Sequence, residues 1–333
     1  MAYIKLLLIT VFFLVNTNIN ANTLGKEMNP LTNNPYFTLK LNASGISYFV
    51  ELNGASVHNE LDSDGQLSTV FPVNHWMRSG GNTLTLQVMP DDEGVKFNSS
   101  SFVEIQLLVA TNQDKEKTHS ISTIKFDASN NDKEFIKDSS ASGSYNEDLK
   151  LSSSGNIVIY DISETKLKEF DGALSFERKL EIPNSLPLWK FFESEELPNL
   201  ESMSDNDYYS LMDTLLIEYG KVQSALKTGQ INEIISLFEE RNRELDAAFY
   251  YQPGTMKNKI STSLLDAAKN TELELVDLNK NNVDFTVESN NKLVSLTRDG
   301  LSSAITLNFK NGYGSQRYNL IFRKENNKWI LTR

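Results

Sequence analysis

Three histidines, His58, His75 and His119, are the only imidazoles in 333 residues. None stands two, three or four positions from another, the spacings that put two side chains on one face of a strand or helix. A zinc site would have to join His58, His75 and a carboxylate across loops, so the sequence predicts no metal centre and no cofactor. Cysteine is absent, which removes thiolate nucleophiles, thiolate ligands and disulfides. There is no His-Glu-x-x-His, no Gly-x-Ser-x-Gly, no phosphate loop and no dinucleotide fingerprint. Asp62-Ser63-Asp64-Gly65 opens like a calcium loop, but the later oxygen ligands do not follow, and it reads as a solvated turn. The segment that best combines a flat apolar side chain with hydrogen-bond donors is Asn74, His75, Trp76 and Arg78. Protein interfaces and sugar platforms use that combination, and these four are the candidate binding residues. The competing reading packs Trp76 into the edge of a β-sandwich.

Phenols and carboxylates for acid–base work exist at Tyr208, Tyr209, Tyr219, Tyr250, Tyr251, Asp213, Glu218 and Glu244. The chain beyond residue 204 holds no histidine, the usual group for proton transfer near neutral pH. Tyr219 falls on the apolar face of a helix and reads as structural. Glu239, Glu240, Arg241, Arg243 and Glu244 read as a solvated face with weak ion pairs. No catalytic residues are assigned, and the chain is not expected to be an enzyme.

The elements that must position these residues follow from charge and periodicity. A net charge of -12 has the wrong sign for a broad phosphate-binding surface, which argues against nucleic acid. Lys5, the apolar run Leu6 to Val15 and small Ala21 form the three parts of a signal peptide over 1–21. Ten apolar residues are too few to span a bilayer, and no later run suffices, so a periplasmic or secreted chain without a transmembrane segment is expected. From 36 to 182 apolar residues alternate, as in Phe37, Leu39, Leu41 and Val103, Ile105, Leu107, Val109, with Gly/Asn/Asp turns between the runs. This predicts an all-β sandwich over 22–182, with a polar mobile loop at 128–154. A Pro-containing linker over 183–204 carries Trp189, Phe191 and Phe192, too apolar for a free tether. Beyond it the period becomes helical, with helices over 205–228, 230–249 and 256–269 and then a strand meander. An α+β domain over 205–333, with helices packed on a curved antiparallel sheet, completes a multidomain chain.

The run Leu226-Lys227-Thr228-Gly229-Gln230 between helices, and the closing strand–turn–strand from Tyr318 to Leu331 with Trp329-Ile330, resemble the NTF2-like (cystatin-like) superfamily. The resemblance implies a cone-like α+β fold shared by enzymes, small-ligand binders and inert modules. Leu52-Asn53-Gly54 and the stretch Val73 to Leu84 more faintly resemble galactose-binding-like jelly rolls. The functional expectation is an exported, non-catalytic binding protein for another macromolecule, such as an immunity-type inhibitor or envelope accessory protein. A carrier or sensor of a small apolar ligand or glycan is the alternative, ahead of an isomerase- or dehydratase-like enzyme.

Overall fold

The computed structural model describes residues 34–61, 65–90, 96–111, 114–129, 136–138, 143–145, 151–152, 157–167, 172–183, 186–298 and 301–333. The expected signal peptide 1–21, the turn at 62–64 and most of the polar loop at 128–154 lie outside the described residues. The chain is mostly β, in several antiparallel sheets, with a few helices. Strands in the first part are β1 Pro35–Ser44, β2 Ser47–Leu52, β3 Ala55–Glu60, β4 Gln66–Pro72, β5 Gly80–Met89, β6 Phe102–Thr111 and β7 Asp114–Asp127. Short β8 Ile136–Asp138, β9 Gly143–Tyr145 and β10 Leu151–Ser152 precede β11 Ile157–Lys166 and β12 Leu174–Ile182. One sheet runs β4-β1-β6-β7-β8 and the other β10-β9-β11-β12-β5-β2-β3. β8, β9 and β10 add to sheet margins inside the stretch whose composition suggests only a loop around one weak strand.

Alternation explains why these strands bury one face. In β1, Phe37, Leu39, Leu41 and Ala43 are buried while the residues between them are half-buried. Successive side chains of a pleated strand point to opposite sides, so the apolar set of each strand reaches one shared interior. Leu39 and Leu107 pair across β1 and β6, and Val50 pairs with Leu86 across β2 and β5. All four belong to the first core.

The second part contains α1 Asp205–Thr228, α2 Ile231–Ile234, α3 Glu239–Ala248 and α4 Thr255–Lys269. Strands β13 Leu273–Leu275, β14 Asp284–Glu288, β15 Leu293–Arg298, β16 Ser302–Ser303, β17 Ile305–Phe309, β18 Ser315–Tyr318, β19 Phe322–Glu325 and β20 Lys328–Leu331 follow. They form one sheet β13-β17-β18 and another β14-β15-β19-β20, with β16 on β15. Ser204 caps α1 by accepting a hydrogen bond from the Asp207 amide, and Gly229 ends it at φ 74. The expected apolar stripe, Met212, Leu215, Tyr219, Val222 and Leu226, lies in a second core with Leu296, Ile305 and Phe322. Asn326 and Asn327, at φ 52 and 60, turn β19 into β20, because asparagine tolerates the left-handed region that a two-residue hairpin requires.

The helix expected over 230–249 is not continuous. A 3-10 turn at Ile235–Phe238 separates α2 from α3. Ile231, Ile234 and Phe238 enter the second core, whereas Leu245, Ala248 and Phe249 enter the first. A single straight helix would keep one apolar stripe on one side, and the tighter turn re-aims the chain from one interior to the other.

Tyr219 ties α1 to the sheet. Its hydroxyl donates to the Leu320 carbonyl at 2.6 Å and accepts from the Leu296 amide at 2.9 Å, and burial pushes its pKa up. Tyr219→Phe orphans both backbone groups inside the second core, so unfolding free energy should fall by about 1–3 kcal/mol in urea titration. An unchanged midpoint would show that the hydroxyl is dispensable.

Candidate functional site

The expected binding segment begins with a turn that is satisfied from within. Asn74 is fully buried, accepts from the Phe37 amide at 2.6 Å and donates to the Pro35 carbonyl at 2.8 Å. It therefore splints the start of β1. Asn53 donates to the Trp76 carbonyl at 2.7 Å, and Asn82 bonds the amide and the carbonyl of Arg78. Residues 74–76 form one 3-10 turn in which Asn74 and Trp76 are buried and His75 between them is half-buried.

Trp76 is only 5% exposed. Of the two readings of this indole, the packed one matches its burial and the exposed platform does not: it packs edge-on against Phe191 at 5.7 Å and is part of the first core. Asn74 is likewise removed from any surface role. His75 and Arg78 keep partial exposure. The Arg78 guanidinium donates to the Gly81 carbonyl at 2.7 Å and lies over the Phe192 ring at 5.0 Å.

The structure brings to this turn a set of residues that the sequence reading left elsewhere. Trp189, from the segment after β12, donates its indole N–H to the Met77 carbonyl at 2.7 Å. The 3-10 turn Lys190–Glu193 adds Phe191 to the same aromatic group, so Leu186, Trp189 and Phe191 lie in the first core while Leu197, further along the segment, enters the second. Into this group comes the Arg333 guanidinium, 4.8 Å from the Phe191 ring, 5.3 Å from Trp76 and 5.9 Å from Trp189. Arg333 donates to a Glu244 carboxylate oxygen at 2.6 Å and to the His75 carbonyl at 2.9 Å. The other Glu244 oxygen accepts from the Lys190 amide at 3.0 Å.

One helical turn earlier on α3, Glu240 accepts two hydrogen bonds of 2.7 Å from Arg323 of β19. This fork matches the planar guanidinium to the carboxylate and is a strong form of ion pair. Burial would raise the Glu240 pKa, but Arg323 and then Lys190 outweigh it and hold the carboxyl below its usual value. The expectation of a solvated α3 face is therefore overturned at Glu240 and Glu244, which are 9% and 7% exposed, and holds at exposed Glu239 and Arg243. The i,i+4 spacing puts both carboxylates on one side of the helix, but only the tertiary partners decide that this side is inward.

The His75 ring lies tilted against Trp76, with centroids 4.6 Å apart, and approaches Phe249 at 5.3 Å. Burial, then Arg333 and Arg241, push its pKa well below the usual value, so the ring is neutral at physiological pH. The structure does not gather the other histidines here: His58 lies on β3 beside Tyr48, and His119 lies on β7. Among the described residues no three histidines or carboxylates group as metal ligands. What this constellation can do is join the two cores, because its charges face each other in pairs.

Arg333→Ala leaves the Glu244 carboxylate buried without its cation and should cost about 3–5 kcal/mol in chemical denaturation. Arg333→Met with Glu244→Leu should recover at least half of that loss, since no uncompensated charge remains. Equal destabilisation by both variants would assign the effect to lost packing alone. A scan of protein-family models, a search of curated proteins and a search of solved structures each returned no match for this chain.

Proposed function

We propose that this chain is a non-catalytic binding protein of the exported type. In this reading a jelly-roll-like β-sandwich and an NTF2-like α+β module act as one rigid body toward another macromolecule. The observation that carries the reading is the junction at Arg333. The aromatic and charged side chains with the most binding or catalytic potential are engaged in holding the two cores together. A fixed relation between two folded parts suits an inhibitor or accessory protein, because a preorganised surface loses little freedom on association.

The net charge of -12 favours a partner with a basic face, which it would attract over a distance set by ionic strength. An immunity-type inhibitor of a toxic hydrolase is the concrete version. The carrier reading ranks second for a structural reason: the sheet face that would cradle a ligand is packed with Met212, Leu215 and Tyr219 of α1.

The full chain, immobilised and exposed to an envelope extract of its host, should retain a discrete partner of basic charge. That partner should elute between about 50 and 500 mM salt, where screening shortens the reach of charge. If the partner is a hydrolase, adding the chain should suppress its activity. Retention of nothing, or of an acidic partner indifferent to salt, would reject the proposal.

A further inference from the structure

The two cores meet at a second place, where the β2–β3 hairpin abuts the end of β14. Asn53 and Gly54 turn that hairpin at φ 56 and 71. A Cβ on Gly54 would stand 3.3 Å from the Ser289 Cα, so the approach of the two backbones needs glycine there. The Ser289 amide donates to the Gly54 carbonyl at 2.6 Å, and its hydroxyl donates to the Asn53 carbonyl at 3.1 Å. Beside this contact the Ser56 amide donates to the Glu288 carboxyl at 3.2 Å. Ser56 is the cross-strand neighbour of Glu51 on β2. The hairpin thus carries Glu51 directly across from the residue whose amide holds Glu288, and the charge of Glu51 reaches the Glu288 carboxyl.

We infer that Glu51 and Glu288 form a proton-dependent latch between the two cores, closed while the pair holds a proton and weakened when both carboxyls ionise. Unlike Glu240 and Glu244, neither carboxyl has a cation paired with it among the described residues. Glu51 lies opposite Thr85 on β5, and Glu288 lies opposite Leu293 on β15. The nearest cation along the chain, Lys292, donates its ammonium to the Phe192 carbonyl at 2.6 Å. On β3 the charged neighbours are His58, which hydrogen-bonds Tyr48, and Glu60, an acid that adds no compensation. Asp284, at the far end of β14, is exposed.

Glu51 and Glu288 are half-buried at the surface of the seam, and loss of water around the Glu51 carboxyl pushes it up to about 7. Burial, assisted by the charge of Glu51 and opposed by the Ser56 amide, pushes Glu288 up to about 8. Both folded values lie above the unfolded one, so the folded state binds more protons. The stability these groups contribute is complete below the unfolded pKa and is lost as pH rises through 7 and 8. His75 has the opposite sign and acts at lower pH, because its folded value is depressed.

The test uses the full chain with 13C-labelled glutamate carboxyls. At least one resonance should titrate above about pH 6.5 and vanish in Glu288→Gln, whose side-chain oxygen can still accept from Ser56. Over about pH 6.5–8.5 the wild-type thermal midpoint should fall, and Glu288→Gln and Glu51→Gln should each at least halve that fall. Exchange of the Ser56 and Ser289 amides, corrected for intrinsic rate, should rise over this window more than exchange of the Leu296 amide inside the second core. If every glutamate carboxyl titrates below about pH 6, the latch is refuted without any variant. Equal pH slopes in wild type and both variants would refute it independently.

Discussion

A guanidinium buried among three aromatic rings organises this molecule. Arg333 has lost most of its water, and a bare cation in that position would cost several kcal/mol. Glu244 supplies the compensating charge, the His75 carbonyl takes a further N–H, and the rings of Phe191, Trp76 and Trp189 lie within cation–π reach. The partners come from three stretches of chain, the turn after β4, the segment after β12 and α3, and Arg333 itself follows β20. Satisfying one charge therefore requires all four stretches to be in place, which makes the junction cooperative.

Several features of the fold follow from that requirement. The helical segment must break at Ile235–Phe238 so that α3 can deliver Glu240 and Glu244 to the first core while α2 stays with the second. The segment 183–204 cannot be a tether, since Trp189 and Phe191 form part of the arginine's enclosure. Asn74 has to be buried, because the turn that carries His75 and Trp76 inward is anchored by its bonds to β1. The residues that looked most like a binding surface are thus consumed by architecture.

The seam combines two electrostatic regimes. At α3, Glu240 and Glu244 each face an arginine, Arg323 and Arg333. At the β2–β3 hairpin, Glu288 takes a backbone amide within the electrostatic reach of Glu51, with no cation paired to either among the described residues. Removal of charged groups from water is costly in both places, and the presence or absence of a counter-charge separates a permanent contact from a titratable one.

Local rules sufficed for the elements themselves. Period-two alternation predicted β1, β2, β5, β6, β7, β11 and β12 but not β3, β4 or the short β8 to β10, and helical alternation predicted the stripe of α1. Ser204 and Gly229 marked the ends of that helix, and Asn-rich pairs marked the hairpins, because each depends on interactions within a few residues. Tyr219 was legible as structural for the same reason. Nothing local distinguished Glu240 and Glu244 from Glu239, or gave Arg333 any role, since a charged side chain is buried only when a distant partner compensates it. The tertiary structure alone decided which aromatic rings Trp76 joins, that Glu288 reaches the Ser56 amide, and that one helical segment serves two interiors: each is a matter of which remote surfaces share the same space.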